Sequence, residues 1–173
     1  MAKRYEEDKS GIESNTVGVY RTAATVKGGR RFSFSGMVVC GDRKGQVGLG
    51  YGKANQVPNA IEKAQKKAKQ AMRSFPLTGT TIPHQVTGRF GACTVRLVPA
   101  SPGTGVIAGA AVRAVLDLLG VQDCLSKAYG STNNKNLTKA VIDGLQQLRS
   151  RQQVESLRKI TIEKTHIEEA HSL

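Results

Sequence analysis

The stretch Val47-Gly48-Leu49-Gly50-Tyr51-Gly52-Lys53-Ala54 decides how the first part of this chain folds. Its period of two is that of a β-strand, whose successive side chains point to opposite faces. Val47, Leu49 and Tyr51 therefore share one face, and Gly48, Gly50 and Gly52 the other. Glycine in a strand costs conformational entropy and offers nothing to pack. Three in register point to a face that another backbone approaches closely. Downstream, Pro58 suits the first turn of a helix, where its missing N–H is no loss. Ile61, Ala64, Ala68, Met72 and Phe75 then recur at three- and four-residue spacing as one apolar stripe, and Pro76 is expected to end the helix.

Upstream, Val17 to Val26 is rich in Val and Thr and reads as a strand that stops at the turn Lys27-Gly28-Gly29-Arg30. Arg31 to Cys40 follows, with Phe32 and Phe34 on one face and Gly36 at an expected bulge. A second turn, Gly41-Asp42-Arg43-Lys44-Gly45, leads back into the glycine strand. The three runs predict an antiparallel meander and a first unit of order β-β-β-α over residues 12–75, preceded by a polar, flexible arm at 1–11.

Residues 76–82 read as a linker. A second unit at 83–150 opens with strands at Pro83 to Thr87 and Ala92 to Pro99. The spacing predicts a helix over Val106 to Leu119 closed by Gly120, a short strand within Val121 to Tyr129, a polar turn at Ser131 to Asn136, and a second helix over Leu137 to Leu148. The order is β-β-α-β-α, and the class α+β. Val154, Leu157, Ile160, Lys164 and Ile167 give the tail, 151–173, a weak amphipathic pattern.

Charge sets the function class. Lys and Arg number 26 against 13 Asp and Glu, a net charge of +13. Such a chain attracts polyanions, nucleic acid first. Residues 151–173 carry four cations and four acids, so the excess belongs to the rest of the chain. No run approaches the ~20 apolar residues of a membrane span, and the first residues lack the apolar core of a secretory signal. Cys40, Cys93 and Cys124 are far apart without C-x-x-C spacing, which argues for buried thiols rather than a disulfide framework or zinc site. With 5% aromatic residues and no Trp, two separate small cores are expected to be marginal without a partner.

Lys27, Arg30 and Arg31 surround a bare glycine tip, as suits a loop pressed against phosphates. Arg43 and Lys44 repeat the pattern in the next turn. From Lys63 to Arg73 the helix carries five cations and no acid, where a solvated face would mix signs. Gly103-Thr104-Gly105-Val106-Ile107-Ala108-Gly109 is the strongest enzymatic signal, a glycine-rich entry to a helix that could cradle phosphate. It lacks the G-K-[ST] of a P-loop. His84, His166 and His171 have no metal-ligand spacing, Asp117, Asp123 and Asp143 form no pair, and no Ser sits in a nucleophile elbow. No enzyme activity, cofactor or metal is expected.

Thr25-Val26-Lys27-Gly28-Gly29-Arg30-Arg31-Phe32-Ser33-Phe34, the glycine strand, Val57-Pro58-Asn59-Ala60-Ile61, the 103–109 segment and Lys127-Ala128-Tyr129-Gly130-Ser131-Thr132-Asn133 together resemble the bacterial form of small-subunit ribosomal protein five. Order and spacing match from about Gly11 to Leu148. The resemblance implies a double-stranded-RNA-binding-like first unit. The second would be a two-layer β-α sandwich similar to one in the ribonuclease P protein and a kinase superfamily. It implies a structural constituent of the small subunit that binds ribosomal RNA, steadies head against body and supports accuracy together with ribosomal protein four. Implied RNA contacts are Arg21, Lys27, Gly28, Gly29, Arg30, Arg31, Arg43, Lys44, Tyr51, Gly52, Lys53, Lys63, Lys66, Lys67, Thr104, Gly105, Lys127, Ser131, Asn133 and Lys135. Gly103 and Arg113 fall where the family faces protein four. Protein eight is a second implied neighbour, and protein three and messenger RNA are implied at the entry channel. The expected location is the cytoplasm, in the small subunit, with neither a membrane nor a homo-oligomer expected. Pro102 and the tail after Arg149 depart from the family pattern. Two rivals remain at this point: a free-standing duplex-RNA regulator and an ATP-dependent small-molecule kinase.

Overall fold

The computed structural model describes residues 5–7 and 11–162. In the first unit, β1 (Tyr5–Glu7), β2 (Glu13–Val26), β3 (Gly29–Gly41), β4 (Gln46–Ala54) and β5 (Arg73–Ser74) form one antiparallel sheet in that order. Helix α1 (Val57–Gln70) covers one face. The glycine strand explains how. A Cβ on Gly48, Gly50 or Gly52 would overlap the carbonyl oxygens of Ala68, Ala64 and Ala60 respectively. Those three alanines are the fully buried residues of the helix, so alanine and glycine meet backbone to backbone. The opposite face of the strand carries Val47 and Leu49 into the main core.

Several expectations change. Tyr5–Glu7, placed in the flexible arm, pairs with Glu13–Asn15 as an edge strand; residues 1–4 and 8–10 lie outside the described residues. Gly36 is not a bulge. It pairs regularly with Val19 and Gly52, and the register shift falls between Thr16 and Gly18 on β2 instead. Helix α1 ends at Gln70, not at Pro76. Phe75 follows a different pull: its side chain is buried in the main core, and its N–H donates to Gly45 O at 2.9 Å. Arg73–Ser74 meanwhile pairs with Gln46–Val47 as β5.

The expected linker is structural. Thr78 and Thr81 exchange backbone hydrogen bonds, and Thr81 and Ile82 are buried. The Thr81 hydroxyl donates to Asp123 O at 2.6 Å, and the Thr80 hydroxyl to Asp123 Oδ2 at 2.7 Å.

The second unit is a four-stranded sheet, order β6-β7-β9-β8, from β6 (Val86–Phe90), β7 (Cys93–Pro99), β8 (Val106–Ile107) and β9 (Cys124–Gly130). Helices α2 (Ala110–Leu119) and α3 (Asn134–Gln146) pack on one face. Val106–Ile107, expected in the helix, is instead a strand parallel to β9, and α2 begins four residues later. Gly120 closes α2 in the left-handed conformation at φ 98°, as its position predicted. Helix α3 begins at Asn134 because the Asn133 side chain caps it, accepting from Lys135 N–H. Gly88 repeats the glycine device, with the Ala140 carbonyl and Gly144 of α3 occupying the space a Cβ would need. A short α4 (Arg151–Arg158) follows, started by a Ser150–Gln153 capping box. Lys164 and Ile167 of the expected tail pattern lie outside the described residues.

The two units share one core. Val39, Val47 and Phe75 from the first cluster with Ile82, Val95, Leu97, Val115, Leu118 and Leu119. At its edge the 41–45 turn covers the end of α2: Arg43 N–H donates to Leu118 O at 3.0 Å and Gly45 N–H to Leu119 O at 2.9 Å. Val38, Cys40, Ala64 and Ala68 form a smaller cluster beneath α1.

The glycine face yields a direct test. Gly50→Ala forces α1 away from the sheet and is expected to cost about 1–3 kcal/mol, the range for overpacked cores. Gly36→Ala meets only ordinary contacts, the nearest at 3.5 Å to Ile61, and should stay within about 0.5 kcal/mol of the parent. Urea unfolding of both variants measures the difference; equal losses would disprove the backbone contact.

Candidate nucleic-acid interface

Strand β4 stops opposite Phe34, while β2 and β3 continue to the Val26–Gly29 pair. Residues 22–33 therefore stand beyond the sheet as a two-stranded ribbon, with Arg21 at its base. At ~3.4 Å per residue the five pairs from Thr22–Ser33 to Val26–Gly29 reach roughly 15 Å from the body. The tip is Lys27-Gly28, with Gly28 at φ 91° and nothing within 4 Å of where its Cβ would lie. Arg30 pairs with Thr25 and Arg31 with Ala24, so the two arginines point to opposite faces. The ribbon is cationic on both sides. Behind the tip the Arg21 guanidinium lies 3.6 Å above the Phe32 ring. Phe32 is 47% exposed, and the arginine shields part of what would otherwise be a bare apolar ring.

At the base of the ribbon a groove of about 760 Å³ runs between it and α1. Lys53, Lys63 and Lys66 line it together with Asn55 and Asn59. The structure thus brings together three cations singled out from separate elements, and Lys67 is exposed one residue beyond Lys66. Glu62 also lines the groove. It lies just outside the acid-free stretch that began at Lys63.

Other candidates are placed differently. The 41–45 turn does not repeat the first one. Its backbone caps α2, the Asp42 carboxylate accepts from Lys44 and Gln46 N–H at 2.7 and 2.9 Å, and Arg43 pairs with Glu13 at 2.6 Å. The Lys44 side chain is exposed, whereas Gly52 is buried beneath α1. Tyr51 is on the far face of the sheet, where Lys135 of α3 sits 4.1 Å from the Tyr20 ring centroid and 5.1 Å from that of Tyr51. Tyr20 went unnoticed in the sequence; only a contact between distant elements gives it a role. A hydrogen bond with Ser35, then the charges of Lys135 and Lys53, hold the Tyr51 phenol below its ordinary pKa.

The 103–109 glycines do not open a helix, since β8 intervenes. Gly105 N–H donates to Asp123 Oδ1 at 2.9 Å, and the Thr104 hydroxyl donates to Ser101 O at 2.7 Å. These donors hold the turn rather than a phosphate. Ser131 and Asn133 shape the start of α3, Ser131 Oγ accepting from Asn133 N–H. Lys127 is exposed on the outer face of the second sheet. Gly103 is exposed at φ 84°. Arg113 donates to Val106 O at 2.5 Å and lines a groove of about 510 Å³ with Arg43, Asp117 and Gln122. Its buried Nε has no hydrogen-bond partner among the described residues.

The described catalytic candidates stand apart from one another. Among the described residues no three His, Cys, Asp or Glu side chains gather as metal ligands. Burial pushes the Cys40 and Cys124 thiols up to about 11, which removes them as nucleophiles. His84 Nε2 accepts from Arg149 N–H, and Asp143 accepts from Arg89 N–H. His166 and His171 lie outside the described residues. No described helix is long and apolar enough to cross a membrane.

Residues 12–76 match the family model for the N-terminal domain of ribosomal protein S5, and residues 88–158 that for its C-terminal domain. The small ribosomal subunit protein uS5 of Rhodopirellula baltica is 53% identical over 150 residues, covering 87% of this chain and 85% of that protein. The uS5 protein of Rubrobacter xylanophilus is 52% identical over 153 residues, 88% of this chain and 76% of its own length. That of Psychromonas ingrahamii is 45% identical over 162 residues, 94% and 97%.

The Tyr51 cluster can be checked in solution. Replacing Lys135→Gln should move the Tyr51 titration upward toward 10.0, and Ser35→Ala should move it further. Ultraviolet titration, with Tyr51→Phe as the subtraction, reads both. An unmoved curve in the lysine variant would mean that Lys135 does not sit over the ring.

Proposed function

The chain belongs to the ribosomal protein S5 family, and from that premise we propose that its ribbon and α1 groove bind small-subunit ribosomal RNA and lock head against body. The protein is a structural, non-enzymatic constituent of the small ribosomal subunit. With that the small-molecule kinase reading falls away. Its working place in this reading is the subunit in the cytoplasm.

One observation carries the RNA reading. The ribbon stands free of the body, bears Arg21, Lys27, Arg30 and Arg31, and contains no acid between Val17 and Gly41. Uncompensated cations on a thin two-stranded element repel one another in the free protein and are relieved by phosphates on both sides. Glycine at the tip lets backbone N–H groups approach as further donors. The groove of Lys53, Lys63 and Lys66 supplies a second contact line at the ribbon's base. Lys44, Lys127 and Lys135 are cations at other points on the surface. Gly52, Thr104, Gly105, Ser131 and Asn133 serve the same binding by shaping backbone.

Gly103 and Arg113 form the face for ribosomal protein four, through which the protein supports decoding accuracy. Arg113 suits that task because its guanidinium is partly satisfied within the chain and lines an open groove. Protein eight is the second neighbour, and protein three and the messenger RNA meet this protein at the entry channel. A free-standing duplex-RNA regulator would share the ribbon chemistry but not the subunit.

Charge reversal at the tip, Lys27→Glu with Arg30→Glu and Arg31→Glu, tests the reading. Each lost phosphate contact removes about 0.7–0.9 from the salt slope of RNA affinity, so the triple variant should bind ribosomal RNA with a slope shallower by roughly 2–3. In gradient sedimentation the parent should travel with the small subunit and the variant remain at the top. An unchanged slope and unchanged incorporation would reject the ribbon as the anchor. A parent that binds RNA duplexes but never sediments with the subunit would favour the regulator.

A further inference from the structure

Helices α2 and α3 cover one face of the second sheet, and among the described residues no helix covers the other. The register arranges that open face in rows. Ile107 and Leu125 are paired across β8 and β9, with Val98 beside Leu125 on β7. One step along, Arg96 lies directly opposite Lys127, and one step further Thr94 lies opposite Tyr129. Ile107 is 54% exposed, Leu125 41% and Tyr129 51%. Single exposed apolar residues are ordinary on any surface; here Ile107 and Leu125 are paired neighbours at one end of the sheet, and the Tyr129 ring stands two rows away across the cation row.

The cation row is the sharper observation. Like charges directly opposite across antiparallel strands destabilise the pair. Neither β6, β7, β8 nor β9 contains an acid to offset Arg96 and Lys127. Arg96 spends one guanidinium nitrogen on Gln85 Oε1 at 2.8 Å, and its other N–H groups remain to serve a ligand. A face kept for solvent would mix signs. This one puts an exposed ring one step from two adjacent cations, the combination with which sheet surfaces hold unpaired nucleotides: a base on the ring, phosphates on the cations.

We propose that the outer face of the second sheet is a separate platform for an unpaired RNA segment, with a base stacked on Tyr129 and its flanking phosphates on Arg96 and Lys127. The proposal rests on the RNA-binding reading above but concerns a different surface and a different form of RNA from the ribbon. The row spacing of two residues, roughly 7 Å, places ring and cations within reach of neighbouring nucleotides.

The chain has no tryptophan, so Tyr129→Trp installs a lone reporter on the platform of the full-length protein. Titration with a short unstructured oligouridylate should quench its fluorescence. Adding Arg96→Glu and Lys127→Glu should weaken that binding about tenfold or more, as expected for loss of two phosphate contacts. A blunt RNA duplex should bind through the ribbon without quenching. Tyr129→Ala, read by oligouridylate affinity, carries the test should the charge variants not fold. Duplex binding without any response to oligouridylate overturns the platform and leaves the ribbon reading standing. Failure of both RNAs to bind removes both. Quenching by polyglutamate but not by oligouridylate overturns the proposal in favour of an acidic protein partner.

Discussion

The structure depends on the way the 41–45 turn closes the end of α2. A helix leaves its last carbonyls without internal partners, and burying them bare is costly. Here Arg43 and Gly45 N–H reach Leu118 and Leu119 O, so the first unit satisfies backbone groups that the second cannot satisfy alone. Asp42 makes this possible by accepting from Lys44 and Gln46 N–H. Gly120 makes it possible from the other side, since Arg43 O occupies the place of a Cβ. Once the turn and helix end are joined, Val39, Val47 and Phe75 fall against Val115, Leu118 and Leu119. A chain with no tryptophan and few aromatics thereby builds one main core where two marginal ones were expected.

The same economy governs charge. Glu13 holds Arg43, Asp42 shapes its turn, Asp123 gathers Thr80 and Gly105, and Asp143 accepts from Arg89 N–H. These carboxylates are turned toward partners within the protein. The cations of the ribbon and of α1 face outward. The excess positive charge is therefore not a uniform coating. A projecting element and the groove at its foot carry a concentrated share of it, and the shared core gives both a rigid base.

Much of the fold was legible because local pattern and tertiary demand agreed. The alternation at 47–52 announced a backbone contact, and Gly120 announced a helix end. The misreadings fall where a distant partner decided the outcome. Val106–Ile107 fits a helical stripe but pairs with Cys124–Leu125. Phe75 fits the stripe of α1 but is buried beside Val39 and Val47. Thr81 is polar and flanked by turn residues, yet it is buried through its bonds to Asp123 and Ala100. The site divides similarly. Lys27, Arg30 and Arg31 could be recognised because a glycine tip between strands is a local feature. Arg43 and Gly105 belong to turns of similar composition that are consumed internally, and only the distant carbonyls of α2 or the carboxylate of Asp123 distinguish them. The seat of Lys135 over Tyr20 joins elements far apart in sequence, and no periodicity reports it.

The glycine face also bears on which mutations this gene can absorb. A glycine codon tolerates any change at its third base. Every missense change at the first or second base introduces a residue with a Cβ. At Gly48, Gly50 and Gly52 that atom would overlap a helix carbonyl whatever the rest of the side chain. Every single-step substitution at these three positions thus meets the helix backbone by geometry alone, before any question of charge or polarity arises. The seat of the helix, and with it the line of Lys63 and Lys66, is held in place by the genetic code as well as by packing.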